Sequence, residues 1–394
     1  MSDIKGEGAS MRCLKLRYGV LGAVVALIAG GAMAAPPTID TTAKHAVVID
    51  FDTGTTLLDK GADDRMPPAS MSKMMTAYVV FEYLQKGQAK LDDVLPVSER
   101  AWAKHKTGES NMFVPLGARV KIEDLIRGMV IQSGNDACVV LAEGLAGSVG
   151  AFVEQMNQTA QKLGLKGTHY ANVDGLPDPE EYTTARDLAM LATHLIRDFP
   201  DHYKYESEKD FTFNGIKQGN RNPLLYKDLG VDGLKTGHTE EAGYGLTVSA
   251  LREGRRVVVV LAGMATMKER SVESEKVLEW AYREFSDYRI VKAGDPIDDA
   301  PVWLGQSAKV PATTAADVHV TLPKKARRDL KVTAVYDGEV KAPVMQGEPV
   351  GKLVLSAPDT DPMEFTLVAT QPVAQLNPLG RAAAAAGYLL WGRR

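Results

Sequence analysis

Two β-hairpin signatures, far apart in the chain, constrain the fold most. HAVVIDFDTGTTLLDKGAD (residues 45–63) reads as two strands about the turn Asp52-Thr53-Gly54. Two further strands are predicted over 245–251 and 256–262, joined through Arg252-Glu253-Gly254-Arg255. Helical periodicity fills the interval over 71–86, 120–145, 153–163 and 184–198, and a last helix is predicted over 272–285. Strands at both ends with helices between them predict an α+β unit, helices packed on an antiparallel sheet that distant segments complete.

The character changes near Tyr288. From 290 to 373 the chain runs in short alternating stretches (VHVTL, LKVTAVY, VGKLVLSA, EFTLVAT) divided by Pro, Gly and Asp turns, which predicts a small all-β sandwich domain. The tail NPLGRAAAAAGYLLWGRR joins alanines and leucines to Tyr388, Trp391, Arg381, Arg393 and Arg394. About 15 helical residues reach only about 22 Å, short of a bilayer core. The alternatives are an amphipathic helix lying on an anionic membrane surface and a docked C-terminal helix.

At the other end, Arg12, Lys15 and Arg17 precede an apolar run over 20–29, and Ala32-Met33-Ala34 stands before Ala35 and two prolines. This is the pattern of a secretory signal peptide; a membrane anchor needs about 20 apolar residues and this run is shorter and broken by glycine. Met11 is an alternative start. The expected division is therefore 1–34 signal, 35–288 α+β domain, 289–374 β domain and 375–394 terminal helix. Cleavage after 34 removes Cys13 and leaves Cys138, in ACVVLAEGLAG, as a buried small hydrophobe without a disulfide partner. The net charge of −4 gives no global basic excess, which argues against a nucleic-acid partner, and no HExxH or CxxC pattern suggests a metal; no cofactor is expected.

Chemistry enters with PPASMSKMMTAYVV, where Ser70 and Lys73 sit one helical turn apart and share a face. The spacing alone says little, because Ser2-Asp3-Ile4-Lys5 repeats it. Corroboration comes in order along the chain. Ser133-Gly134-Asn135 stands in IQSGNDACVV, a polar break between apolar helical runs, and Lys235-Thr236-Gly237 stands in VDGLKTGHTEEAGYGL, at a strand edge. A second copy, Lys106-Thr107-Gly108, has no flanking strand and precedes SGN.

The joint pattern SxxK, SxN, KTG resembles the active-site serine penicillin-recognising enzymes, most closely the low-molecular-mass D-alanyl-D-alanine carboxypeptidases, peptidase S11 type. The resemblance runs through MPPASMSKMMTAYV, LIRGMVIQSGNDACV, TARDLAML and VDGLKTGHTEEAGYGL, and on into the β domain and tail. It implies a β-lactamase/transpeptidase-like catalytic domain and a peptidoglycan pentapeptide substrate, in cell-wall biogenesis and cell shape. It also implies covalent capture by β-lactams and a tail held at the periplasmic face of the inner membrane. The oligomeric state, homodimer included, stays open.

On that resemblance Ser70 is the nucleophile and Lys73 its base, with Ser133 as proton relay and Asn135 holding Lys73 and the substrate amide. Lys73 must be substantially neutral near pH 7. Bringing a lysine down from about 10.4 costs about 4 kcal/mol, which burial and the nearby Lys235 are expected to supply. The backbone N–H groups of Ser70 and His238 form the implied oxyanion hole. Lys235, Thr236, Gly237 and Arg221 are the implied site for the substrate carboxylate.

Three rivals remain. A class A β-lactamase needs an ExxLN glutamate that YANVDGLPDPEEYTTARD does not provide, although Glu180 and Glu181 lie there. A non-hydrolysing penicillin sensor typically lacks Lys73 or the KTG lysine, and both are present. An esterase would not need the carboxylate-binding positions. In the same loop Asp174 stands where the family commonly has histidine, which bears on deacylation and substrate choice.

Overall fold

The computed structural model describes residues 37–104, 109–358 and 360–391. The signal-peptide expectation, Cys13, the second KTG triplet and Arg393 and Arg394 lie outside the described residues.

Strands β1 (His45–Asp50) and β2 (Thr56–Lys60) form the expected hairpin. A 3-10 turn, Ala69–Ser72, leads into α1 (Lys73–Gln85), and then come β3 (Val94–Pro96), α2 (Glu99–Ala103) and β4 (Arg119–Lys121). The long apolar stretch divides into α3 (Ile122–Val130) and α4 (Asn135–Ala146), with the SGN triplet at the break. Helices α5 (Val149–Lys162), α6 (Ala185–Asp198) and α7 (Pro200–Tyr203) follow, then the strands β5 (Asp210–Phe213), β6 (Ile216–Gly219), β7 (Val231–Gly233), β8 (Thr236–Thr239), β9 (Gly243–Arg252) and β10 (Arg255–Met264). Helix α8 (Met267–Glu284) closes this part.

The main sheet runs β2-β1-β10-β9-β7, with β8 pairing β9 off that path. Register is antiparallel, Val47 facing Val260 and Val257 facing Ala250. Because both faces are covered, β1 and β10 read as continuous apolar runs without polar alternation, while β9 buries Thr247 and Ser249 among its apolar residues. Val47, Ile49, Val258 and Val260 enter the core shared with α1 and α3 to α6, whereas Ala46, Val48, Val257, Val259 and Leu261 pack with Val277, Leu278, Trp280 and Ala281 of α8. Helix α4 is buried from Asn135 to Ala142 and forms the centre of the first core.

Two helices begin earlier than their apolar periodicity predicts, and capping is the reason. The Ser148 side chain accepts from Ala151 N–H, starting α5 at Val149. The Thr266 side chain accepts from Glu269 N–H, starting α8 at Met267.

Strand β11 (Phe285–Val291) follows α8 directly and pairs with β14 (Val318–Pro323). With β12 (Asp298–Trp303), β13 (Lys309–Thr314), β15 (Lys331–Val335), β16 (Val340–Lys341), β17 (Pro349–Ser356) and β18 (Met363–Ala369) it makes the C-terminal β domain, whose larger sheet runs β15-β17-β18-β13-β12-β16 around a core of its own. A partly buried polar knot joins this domain to the first. Arg255 Nε donates to Asp50 Oδ2 at 2.9 Å and to Asp287 Oδ1 at 3.1 Å, and the Thr321 hydroxyl, 2.6 Å from that of Thr53, donates to Asp287 at 2.9 Å. Burial, with Asp50 alongside, raises Asp287 to about 6. The last described element is α9 (Pro378–Trp391), whose Tyr388 ring meets Trp303 edge-on at 5.2 Å.

Candidate active site

The SxxK and KTG motifs meet at one place, and SGN stands at the start of α4, whose Cys138 lies beside both lysines. Ser70 lies within the 3-10 turn ahead of α1, preceded by Ala69 at φ 48°, a left-handed conformation that alanine seldom adopts. Lys73, the first residue of α1, is 1% exposed and donates from Nζ to Ser70 Oγ at 3.0 Å. Its second acceptor is the carbonyl oxygen of Asp174.

Ser133 projects from the α3–α4 break at φ 66°. Its hydroxyl is buried with no hydrogen-bond partner among the described residues. Asn135 opens α4; its Nδ2 donates to Glu109 Oε2 at 3.0 Å, and its buried Oδ1 has no partner among the described residues. Unsatisfied buried polar atoms are expensive, which singles out these two side chains. The carboxylate of Asp136 accepts the N–H groups of Met112, Val114 and Ala137 at 2.9–3.1 Å, pinning the stretch after Glu109 against the start of α4.

Strand β8 supplies the opposite wall. Lys235 exchanges backbone hydrogen bonds with Thr247 on β9 at 2.9 and 3.1 Å, and its Nζ donates to the Thr236 carbonyl at 3.2 Å. Gly237 lets β8 lie against the serine turn: a Cβ there would stand 3.1 Å from the Pro68 oxygen and from Met71 Cγ. His238 follows on the strand, its exposed ring stacked on Tyr244 at 3.9 Å. Arg221 is exposed, and its guanidinium donates to Ser110 Oγ at 2.6 Å.

Burial pushes the pKa values of Lys73 and Lys235 down, Lys235 well down, and the neighbouring Lys73 charge lowers Lys235 further. Arg221 adds a further cation that lowers both. Around them stand two raised carboxyls. Burial brings Glu206 to about 7, with Lys235 opposing the shift. Burial likewise brings Glu181 to about 7, although Ser72 Oγ donates to its Oε1 at 2.5 Å. Cys138 is fully buried, its thiol pushed up to about 12 by burial, which suits a packing residue.

The structure thus brings Ser70, Lys73 and Lys235 together, lays Gly237 against the serine turn and sets Arg221 near both lysines, while Ser133 and Asn135 stand at the start of α4, whose Cys138 lies beside the two amines. Sequence reasoning missed Glu109, Ser110, Lys104 and Asp136. Asp136, next to Asn135 in SGND, had a local signal as a helix first-turn acid; the others act across long separations that leave none. A serine hydroxyl held by a buried amine, with a second buried lysine and an arginine close to that amine, can carry out acyl transfer through a serine ester.

Comparison with known proteins agrees with this geometry. The family model described as D-alanyl-D-alanine carboxypeptidase matches residues 31–266, and that of the penicillin-binding protein 5 C-terminal domain matches 285–375. D-alanyl-D-alanine carboxypeptidase DacA of Haemophilus influenzae is 40% identical over 349 residues, 88% of each chain. Its namesake in Escherichia coli K12 is 40% identical over 350 residues, 88% of this chain and 86% of that one. The crystal structure of penicillin binding protein 5 from Haemophilus influenzae superposes with a TM-score of 0.78 at 39% identity, covering 86% of this chain and 99% of that chain. With its SxxK serine, its β8 wall and its appended β domain, this chain belongs to the D-alanyl-D-alanine carboxypeptidase family, the S11 serine peptidases.

Proposed function

We propose that this serine-type D-Ala-D-Ala carboxypeptidase removes the terminal D-alanine of peptidoglycan pentapeptide stems through an acyl-enzyme on Ser70. The observation that carries the assignment is the 3.0 Å contact between Ser70 Oγ and the buried Nζ of Lys73. Lys73, disfavoured as ammonium by burial, takes the hydroxyl proton as Ser70 attacks the penultimate carbonyl. The tetrahedral oxygen is received by the N–H groups of Ser70 and His238, the second delivered by β8. Ser133 passes the proton to the departing amine, Asn135 exchanges Glu109 for the substrate amide, and Lys235, Thr236 and Arg221 hold the terminal carboxylate. Water then cleaves the ester.

β-Lactams present the same carbonyl and are trapped as the acyl-enzyme. Glu181, the buried carboxylate of the loop in which a class A β-lactamase keeps its deacylating base, is engaged by Ser72. That favours slow release of penicillin.

The enzyme works after export, at the periplasmic face of the inner membrane. Among the described residues no single helix is long and apolar enough to cross a membrane; the bent pair α4 and α5 passes by length and composition together, and α4 is in the core. Helix α9 instead leaves Leu379, Leu389 and Leu390 between 70% and 84% exposed, which supports an interfacial role.

The test pairs D-alanine release from diacetyl-Lys-D-Ala-D-Ala with labelling by a fluorescent penicillin. Release together with stable labelling is expected from the wild type, and neither from Ser70→Ala. Labelling without release would overturn the carboxypeptidase reading, and rapid penicillin turnover would indicate a lactamase.

A further inference from the structure

Asp174, the residue that departs from the family's usual histidine, is 2% exposed, and its carboxylate Oδ2 lies 2.7 Å from Nζ of Lys104, which stands at the C-terminal end of α2. The same residue's carbonyl receives Lys73 Nζ. Its backbone is wrapped around Asn172, whose Oδ1 accepts the N–H groups of Asp174, Gly175 and Leu176 at 3.1, 2.6 and 3.2 Å and whose Nδ2 donates to the Leu176 carbonyl at 2.9 Å. The turn is therefore tied at two ends, to Lys104 through a side chain and to the Lys73 amine through a carbonyl.

We propose that the Asp174–Lys104 ion pair is a positioning device for Lys73, fixing the carbonyl that orients its amine while cancelling the negative charge the carboxylate would otherwise place beside it. The inference rests on the reading of Lys73 as the base.

The first half is geometric. A neutral amine has two N–H donors and one lone pair, and a carbonyl oxygen only accepts. Holding one N–H on the Asp174 oxygen turns the terminal nitrogen so that its lone pair can face the Ser70 hydroxyl. A carbonyl that wanders loses that orientation, and misplacement of about 1 Å is enough to slow such a step about 10²-fold.

The second half is electrostatic. The titratable and charged groups around Lys73 are Asp174 and Glu181 from this loop, Cys138 on α4, and Arg221 and Lys235 on the β8 side; Glu109 stands beyond Asn135. An unpaired aspartate here would favour the ammonium and oppose the burial that makes Lys73 a base. Lys104 supplies the compensating charge from a partly exposed position, its side chain 21% exposed, at little desolvation cost.

The two partners therefore have opposite signatures. The experiment is the pH profile of the second-order rate of acylation by a fluorescent penicillin, on the full chain, for wild type, Asp174→Asn, Lys104→Met, Lys104→Arg and the double variant. Removing the carboxylate leaves Lys104 as an extra cation and should move the acid limb to lower pH; removing Lys104 leaves an unpaired aspartate and should move it to higher pH, each by about half to one pH unit. Lys104→Arg keeps the ion pair and should leave the limb in place, and the double variant should bring it back towards wild type. A pair that is merely structural would alter rates without opposed shifts.

Limbs that stay put in Lys104→Met, or move the same way in both single variants, would overturn the proposal. Lys104→Met carries the test on its own if Asp174→Asn does not fold. Failure of the underlying reading looks different: Lys73→Met would then be acylated as fast as wild type, or the wild-type profile would have no acid limb to move.

Discussion

The backbone at Gly175 lies directly on the turn that carries the serine: a Cβ on Gly175 would stand 1.9 Å from the carbonyl oxygen of Ala69 and 3.0 Å from the Ser70 nitrogen. Gly175 also has φ +74°, where a side chain is strained in any surroundings. Gly175→Ala must push the loop off the serine turn. We expect D-alanine release to fall at least about 10²-fold, with unfolding stability reduced by about 1–3 kcal/mol. Wild-type activity in this variant would show that the two backbones are not held together in solution.

The base assignment has a definite pH signature. The pKa of Lys73 is pushed below its ordinary value by burial first, so its neutral form appears at lower pH than that of a free lysine. Acylation should rise with pH through that lowered pKa and then level. Lys73→Met should lose both the limb and about 10²- to 10⁴-fold in rate. Stopped-flow acylation across pH measures both.

Glu181 should be visible in stability. Its folded pKa of about 7 lies above the ordinary glutamate value near 4.5, so between these pH values the native state binds more protons than the unfolded one. Stability attributable to Glu181 is thus fully present below about 4.5 and is lost as pH rises through about 7, by up to about 3 kcal/mol. Glu181→Gln should remove this slope, so its stability relative to wild type improves between pH 5 and 8. Urea midpoints at the two pH values decide it, and parallel midpoints for the two proteins count against the linkage.

At the domain junction, Arg255 neutralises Asp50, which is fully buried, and Asp287. Arg255→Met would leave two carboxylates facing each other, at a cost of about 3–5 kcal/mol. Asp50→Asn in the same chain should recover part of that loss. Denaturant unfolding of both variants provides the check.

Much of this was legible in the chain because it is written locally. Ser70 and Lys73 share a helical face at fixed spacing, the hairpins announce themselves by turn residues, and α4 is apolar on every side because it is surrounded. What could not be read was long-range pairing. Nothing near Asp174 announces Lys104, nothing near Asn135 announces Glu109, and Arg255 gives no local sign that it will bridge Asp50 and Asp287. The early starts of α5 and α8 were recoverable: Ser148 and Thr266 are good N-cap residues, and Thr266 with Glu269 spells a capping box. The 3-10 turn before α1 was not: it carries Ala69 at φ 48° and lies against the distant Gly175.

The facing of Val47 by Val260 has a consequence in time. Strand β1 is among the first segments of the domain a ribosome makes, and β10, its partner, comes after α1 to α7. The sheet cannot close, and β8 cannot lean on the serine turn, until most of the catalytic domain has been synthesised. Non-local pairing of this kind slows folding, because a long loop must be closed before any contact rewards it. Catalytic competence is therefore a late event in the life of each molecule: a nascent chain carries its serine and lysine through the synthesis of every residue up to β8 with no wall opposite them.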